Sequence, residues 1–215
     1  STLVNRLFGS REAIAHEMKN EYQAIHRAGL LLQIDAPDLA MDRTMHYRDL
    51  SDSEFVKAVE LHVAMINKGI EGIPRDRVRL HICYGNWEGP HIHDVPLVTI
   101  LPALYQAKAG ALSIEFSNPR HAHEYAAFKK HPLPKHMMLL PGVIETTSNF
   151  VEHPELVADR IVQYARAVGR ENVIAGVDCG FGTFAGRVQV DTKIVWMKLA
   201  SLAEGARLAS KQLWN

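Results

Sequence analysis

Three distant stretches of the sequence contain side chains that bind soft divalent metals. The first is His81-Ile82-Cys83, at the end of an apolar run that begins near Val78. Because side chains alternate along a β-strand, His81 and Cys83 face the same side, and an imidazole and a thiolate at this spacing suit Zn²⁺. A cysteine near a histidine is also common in ordinary protein cores, so the pair predicts a metal site only if further ligands join it.

Two later stretches supply such ligands. Glu115 ends an apolar run, where a carboxylate is costly unless it is paired or bound to a cation, and Cys179 ends another. Two thiolates, one imidazole and one carboxylate make a four-ligand zinc site. The sequence therefore predicts Zn²⁺ bound by His81, Cys83, Glu115 and Cys179. The alternative is a Glu–Arg pair beside two inert buried cysteines.

The ligand types indicate a reaction class. Zn²⁺ lowers the pKa of a bound thiol, so that a thiolate forms at neutral pH. A zinc site with two thiolates is electron-rich, and it keeps a substrate sulfur nucleophilic rather than activating a carbonyl. We therefore expect alkyl transfer to sulfur, with the Glu115 bond to zinc lengthening or breaking when the substrate thiolate arrives.

Alternating strand-like and helix-like stretches position these residues. Apolar runs predict strands over 30–35, 77–84, 111–116, 136–143 and 173–179. Helical spacing predicts helices over 14–25, 55–66, near 96–108, near 121–129, from 154 and around 195–206. Expected end signals are Ser10 and Gly29 for the first helix, one of Ser51, Asp52 and Ser53 for the second, and Pro154 and Gly169 for the fifth.

Strands that alternate with helices imply a parallel α/β sheet. The chemically interesting residues follow the strands at their carboxyl ends, which is typical of a (β/α)₈ TIM barrel. They are Asp35, Cys83, Glu115, Glu145 and Cys179. An open doubly wound sheet also binds ligands there, but no glycine-rich phosphate loop follows the first strand. Since a barrel needs eight strands, we expect residues 1–215 to form one catalytic domain containing about the last five βα units, with the first three absent.

Composition excludes several classes of function. Lys plus Arg and Asp plus Glu are balanced at 24 each, so no net field favours nucleic acid or an anionic membrane. No apolar run is long enough to cross a bilayer, and the start of the sequence shows no signal peptide. The two cysteines predict reduced thiols and a cytoplasmic location, with a disulfide in a secreted protein as the alternative. The oligomeric state is left open.

Ordered motifs carry a resemblance to a known family. They are His-x-Cys at 81–83, Ser-Ile-Glu at 113–115, Pro-Gly-Val at 141–143 and Asp-Cys-Gly at 178–180. Together with 32–37 ahead of them, they resemble the catalytic domain of cobalamin-independent methionine synthase and its shorter relatives. The resemblance runs from about Leu30 to the end of the chain.

The resemblance implies a zinc-dependent methyltransferase of methionine biosynthesis, with a small thiol of the homocysteine type as acceptor and a separate methyl donor. It implies the same zinc ligands as above. It also implies that Asp35 holds the amino group of the acceptor, a role that competes with that of a turn residue before Pro37.

This sequence departs from the family pattern at several positions. After Pro-Gly-Val, the family pattern has a histidine that is thought to assist proton transfer, and Thr147 stands there. Ala36 follows Asp35, and the run after Glu115 is Ser-Asn-Pro-Arg at 117–120. Residues 86–93 and 121–124 look more like the short relatives, which include proteins similar to epoxyalkane:coenzyme M transferase. Ring opening of an epoxide by coenzyme M is therefore the first alternative, and a non-catalytic barrel fragment that binds metal or a partner is the second.

Other polar residues have two interpretations each. Asn86 and Asn118 follow the ligand strands and either bind substrate or brace their loops. Arg120 either binds an acidic substrate or pairs with Glu124 one turn later, and we expect the pair. His91 and His93 either replace the proton donor or lie exposed in a loop, and Asp178 is expected to be structural because it points away from Cys179.

Overall fold

Five parallel strands form one sheet in chain order. The computed structural model describes residues 11–182, 185–186 and 188–215. The strands are β1 (Leu32–Ala36), β2 (Val78–Ile82), β3 (Ala111–Ile114), β4 (Met138–Ile144) and β5 (Gly176–Val177). The helices are α1 (Arg11–Arg27), α2 (Asp42–Met45), α3 (Asp52–Gly69), α4 (Leu97–Leu104), α5 (Ala127–Lys130), α6 (Pro154–Val168) and α7 (Thr192–Trp214). Short 3-10 helices cover Pro37–Leu39, Arg75–Arg77, Glu124–Ala126 and Arg170–Asn172.

The strand order confirms the predicted fold class. Each strand pairs in parallel with the next strand along the chain, and helical segments connect them. This arrangement is that of a (β/α)₈ barrel, whereas a doubly wound sheet reverses its strand order at a switch point. The described residues thus form five consecutive strands of a barrel-type sheet.

Alternation along the strands separates an apolar face from a polar one. In β1, Leu32, Ile34 and Ala36 are buried, whereas Gln33 and Asp35 are exposed. Paired residues in neighbouring strands share a face, and Asp35 pairs with His81. The apolar face belongs to one continuous core with the helices, which includes Leu80, Ile82, Leu112, Leu139, Phe55, Val59, Leu101 and Leu104. The period of two thus places the chemical groups on the face opposite this core.

The helix ends follow local chemistry. Ser51 caps α3 in a reciprocal capping box with Glu54. Pro154 occupies the first turn of α6, and Gly169 ends that helix with a φ of 94°. Gly29 follows α1 with a φ of 78°. The predicted cap Ser10 lies outside the described residues.

Several predicted elements are shorter in the structure than expected. β5 pairs regularly only over Gly176–Val177, because the register shifts between Gly142 and Ile144 of β4. The predicted helix near 121–129 is a 3-10 turn followed by the single-turn α5, and α4 ends at Leu104. Among the described helices, none is both long enough and apolar enough to span a membrane.

Candidate metal centre

The end of β2, the loop after it and the loop after β5 bring three metal-binding groups together. His81, Cys83 and Cys179 each offer one ligand atom, and these atoms all lie within 4.8 Å of one another. The two sulfurs are 3.3 Å apart although they lie 96 positions apart in the sequence. His81 is buried and the cysteines are half-buried, so an ion placed between them remains accessible from one side.

The backbone of β3 orients the His81 ring. The Nδ1 atom of His81 lies 3.2 Å from the carbonyl oxygen of Ser113. A carbonyl can only accept, so Nδ1 carries the hydrogen and Nε2 keeps its lone pair for a metal. Burial acts to lower the pKa of His81, but the hydrogen bond and charge of Cys83, with Asp35 and Glu115, raise it overall.

The two cysteine sulfurs shift each other's pKa in opposite directions. The contact with the Cys179 sulfur lowers the pKa of Cys83 despite its burial, and the hydrogen bond between Cys83 and His81 lowers it further. The backbone N–H of Gly85 also donates to the Cys83 sulfur at 3.2 Å. The same sulfur–sulfur contact, followed by burial, raises the pKa of Cys179. A bound dication would displace the thiol protons, because metal-bound cysteines are thiolates.

Glu115 lies at the margin of this cluster and is fully buried. Its Oε1 atom is 3.5 Å from the Cys179 sulfur and accepts the backbone N–H of Tyr84 at 2.7 Å. Its Oε2 atom accepts from the Asn118 amide at 3.0 Å and lies 3.6 Å from Arg120 Nη2. Burial, with the charges of Asp178 and Cys83, raises the pKa of Glu115 to about 7. The carboxylate is therefore next to the metal-binding atoms but held by protein donors.

An open cavity of about 320 Å³ gives access to the cluster. Its lining includes Asp35, His81, Cys83 and Cys179, with Pro37 and Met41 beside them. The Asp35 carboxylate is exposed there, and its Oδ1 atom accepts from Gln33 Nε2 at 3.1 Å. Two sulfurs, one imidazole nitrogen and an approach for a fourth ligand fit Zn²⁺.

The structure places Asn86 and Asn118 in buried networks, and neither lines this cavity. Asn86 Nδ2 donates to Thr146 Oγ1 at 2.5 Å, and Asn118 Nδ2 donates to both Glu115 and Asp178 at 3.0 Å. These contacts are those of loop-bracing amides. Substrate binding by either residue stays a prediction.

The expected pairing of Arg120 with Glu124 is wrong. The Arg120 guanidinium instead donates to the carbonyl of Trp87 at 2.8 Å and to Asn118 Oδ1 at 3.2 Å. Glu124 accepts the backbone N–H of Leu97 at 2.7 Å and faces His121 at 3.1 Å. The first turn after Pro119 is not a regular helix, so a spacing of four does not place these two side chains together.

A buried ionic cluster behind Tyr84 had no counterpart in the sequence interpretation. Asp94 Oδ2 lies 3.0 Å from His91 Nδ1 and 3.2 Å from His121 Nε2, and His121 Nδ1 lies 3.1 Å from Glu124. The His121 ring stacks on Tyr84 with centroids 3.9 Å apart. Of the two interpretations of His91, exposure in a loop is wrong, because its side chain is 0 % exposed. In the sequence, these contacts were indicated only by a histidine three residues before an acidic residue, at 91 and 94 and again at 121 and 124.

This cluster predicts a pH dependence of stability. Burial acts to lower the pKa of His121, but the hydrogen bonds and charges of Asp94 and Glu124 raise it to about 9. A histidine whose pKa is higher in the folded chain than in the unfolded chain stabilises the fold. Its contribution is complete below the pKa of the unfolded chain, near 6.5, and is lost as the pH rises through about 9. We expect a loss of about 3 kcal/mol in the free energy of unfolding over this interval.

Urea unfolding of the chain at a series of pH values measures this slope. His121→Gln should remove most of the decline between pH 6.5 and 9, whereas the exposed His123→Gln should keep it. An equal slope in the wild type and the His121 variant would contradict the assignment of the charge to this ring.

A protein-family model matches the part of the chain that contains these residues. The family model described as "Cobalamin-independent synthase, Catalytic domain" matches residues 9–201. The chain belongs to this family. The match includes every residue of the cluster around His81 and the loop that carries Thr147.

Two curated relatives of the chain are named after different activities. The chain is 24 % identical over 177 residues to a 2-hydroxypropyl-CoM lyase of Xanthobacter autotrophicus, covering 70 % of this chain and 45 % of the relative. It is 23 % identical over 216 aligned positions to a methionine synthase of Thermococcus kodakarensis, covering 97 % of this chain and 54 % of the relative. The chain thus spans about half the length of the curated relatives it matches.

A solved structure supports the fold. The B12-independent methionine synthase of a Shewanella species, solved in complex with selenomethionine, superposes with a TM-score of 0.70 at 18 % identity. The superposition covers 96 % of this chain and 57 % of that chain. At this identity the likeness concerns the fold alone.

The turn that carries Thr147, where the resemblance predicts the replacement of a histidine of the family pattern, closes on the Glu145 carboxylate. The hydroxyl and the backbone N–H of Thr147 both donate to this carboxylate. The backbone N–H of Ser148 donates to the same carboxylate at 2.8 Å. Thr147 is therefore part of a closed turn and has no proton to release at neutral pH.

Proposed function

We propose that this chain carries the zinc-binding part of an enzyme that transfers a methyl group to the thiol of a small acceptor of the homocysteine type, in methionine biosynthesis. The observation that carries the proposal is the set of three ligand atoms within 4.8 Å, at the carboxyl ends of the strands and open to a cavity. The family membership supports it, since a methionine synthase is among the matched relatives.

In the proposed site, His81, Cys83 and Cys179 hold Zn²⁺, and Glu115 is the fourth ligand in the absence of substrate. Bound zinc would keep the acceptor sulfur as a thiolate at neutral pH. Asp35, exposed in the cavity beside the cluster, would fix the amino group of the acceptor by charge. The donors around Glu115 would hold its carboxylate away from the sulfur that enters.

We also propose that residues 1–215 act as one catalytic domain built on consecutive βα units of a barrel. The reduced thiols of Cys83 and Cys179 suit a cytoplasmic location. No nucleic acid or membrane partner is part of the proposal.

A second candidate is the opening of an epoxide by the thiol of coenzyme M. In that reaction the sulfur–carbon bond forms, a carbon–oxygen bond of the ring breaks, and the oxygen takes a proton. The match to a 2-hydroxypropyl-CoM lyase and the replacement of the family histidine by Thr147 favour it.

Paired assays test these alternatives on the zinc-loaded protein. Homocysteine is offered with 5-methyltetrahydropteroyltriglutamate, and coenzyme M is offered with epoxypropane, with products identified by mass spectrometry. We expect methionine from the first mixture. 2-Hydroxypropyl-coenzyme M from the second alone would support the epoxide reaction. Bound zinc without either product would support the non-catalytic alternative.

A further inference from the structure

The carboxylate of Asp178 is the centre of the most extensive buried hydrogen-bond network near the candidate metal site. Asp178 is 0 % exposed. It accepts the backbone N–H groups of Phe116 at 2.8 Å, Ser117 at 3.0 Å and Asn118 at 2.9 Å. It also accepts from the Ser117 hydroxyl and the Asn118 side-chain amide, both at 3.0 Å. These donors occupy the carboxylate fully, so it is held in one orientation.

This network joins two of the candidate ligands. Asp178 immediately precedes Cys179, and the loop that it holds immediately follows Glu115. Asn118 donates to both the Asp178 and the Glu115 carboxylates through one amide nitrogen. A shift of Asp178 would therefore move Cys179 and Glu115 relative to each other.

The Asp178 backbone joins the third loop. Its carbonyl oxygen accepts from the Thr146 hydroxyl at 2.6 Å and from Asn86 Nδ2 at 3.4 Å. Asn86 follows Cys83 by three residues and donates to the same Thr146 hydroxyl at 2.5 Å. The loop that carries Cys83 is thus braced against the residue before Cys179.

The β4 backbone leaves room for this arrangement. A side-chain Cβ on Gly142 would lie 1.9 Å from the Asp178 Oδ1 atom, so the Pro-Gly-Val motif needs a glycine for close approach. Cys179 itself has a φ of 48°, which is unfavourable for a residue other than glycine. Such a conformation persists only where the surroundings hold it, and the anchored Asp178 is its neighbour.

We propose that Asp178 is a positioning residue of the metal centre, which sets the separation of Cys179 from Glu115 and Cys83 without touching the ion. The proposal rests on the proposed zinc site and deepens it. It gives a physical reason for the aspartate in Asp-Cys-Gly and for the glycine in Pro-Gly-Val. Asp178 acts on ligand geometry through the loop at 116–118, and Gly142 leaves room for the Asp178 carboxylate.

Metal affinity of the folded chain tests this role. Cobalt(II) is titrated into the metal-free protein while the thiolate-to-cobalt absorption is recorded, and zinc affinity is then measured by competition with a chromophoric chelator. We expect Asp178→Asn to weaken zinc binding by roughly 10–100-fold, as the loss of an outer hydrogen-bond partner does in other sites. Thr146→Val removes only the hydroxyl that holds the Asp178 carbonyl, and we expect it to weaken binding by about 3–10-fold.

Two control variants separate positioning from stability. Val59→Ala opens a cavity beside α3, a helix that carries no candidate ligand and no residue bonded to Asp178, and should destabilise the fold without changing metal affinity. Ser117→Ala removes one of the donors to Asp178 and should change affinity by less than about threefold, since the backbone donors remain.

The possible outcomes are distinct. Wild-type affinity in folded Asp178→Asn would overturn the positioning role and leave the zinc site intact. If Asp178→Asn does not fold, wild-type affinity in Thr146→Val would overturn it. If the wild-type chain binds neither cobalt nor zinc, both this inference and the proposed function fail.

Discussion

Cys83→Ser is expected to abolish stoichiometric zinc binding. A hydroxyl is a poor replacement for a thiolate, and Cys83 is the cysteine whose pKa its surroundings lower. The loss of affinity should be at least about 10³-fold, which exceeds the roughly 10–100-fold cost of losing an outer hydrogen-bond partner. Transfer to a thiol should fall below detection with it. Elemental analysis of zinc per chain, with chelator competition, measures the effect.

Cys179→Ser should behave in the same way, because its sulfur shares the cluster with Cys83 and His81. The control is His123→Asn, which changes an exposed histidine outside the cluster and should keep one zinc per chain. Tight stoichiometric zinc in either cysteine variant would show that the metal, and with it the proposed chemistry, lies elsewhere.

Lys198→Ala is expected to destabilise the fold by about 3–5 kcal/mol, the usual cost of leaving a buried charge without its partner. The Lys198 side chain is 0 % exposed, and its Nζ atom donates to Glu152 at 2.9 Å and to the carbonyl of Glu145 at 3.0 Å. Glu152 in turn accepts the backbone N–H of Glu145 at 2.8 Å. The pair therefore fixes the end of β4 against α7.

Urea unfolding measures this loss as a lower midpoint at an unchanged slope. Lys193→Ala, on the exposed first turn of the same helix, should change stability by no more than about 0.5 kcal/mol. Replacing both partners, as Lys198→Met with Glu152→Gln, should recover part of the loss because no unpaired charge remains. A loss below about 1 kcal/mol in Lys198→Ala would contradict a buried ion pair at this position.

Local patterns predicted the elements of the fold well. The capping box at Ser51, the proline and glycine that bound α6, and the apolar runs of β1 to β4 are short-range features that act through neighbouring residues. The predicted strands extend one to three residues beyond the observed strands at several ends. β5 was overestimated most, because its length is set by the register of β4 and not by its own residues.

The candidate site could be predicted only in part from the sequence. The period of two placed His81 on the polar face, and carboxylate or thiol groups after successive strands predicted that Cys83 and Cys179 would meet. The partners of Arg120 and Glu124 were predicted incorrectly, because spacing in an assumed helix decided the pairing. The buried cluster of His91, Asp94 and His121 was missed because its contacts join two loops.

The sequence by itself determined the kinds of candidate ligand, their order along the chain, their place at the carboxyl ends of the strands and the family to which the chain belongs. All of these depend on residue type and short-range spacing. Only the tertiary structure decided that Glu115 is held by Tyr84 and Asn118 and that Asp178 braces the loops of all the candidate ligands. Three of those contacts join residues 31 to 62 positions apart. The fourth, between Asn118 and Glu115, depends on how Asp178 holds the loop that carries Asn118, so no local pattern encodes any of them.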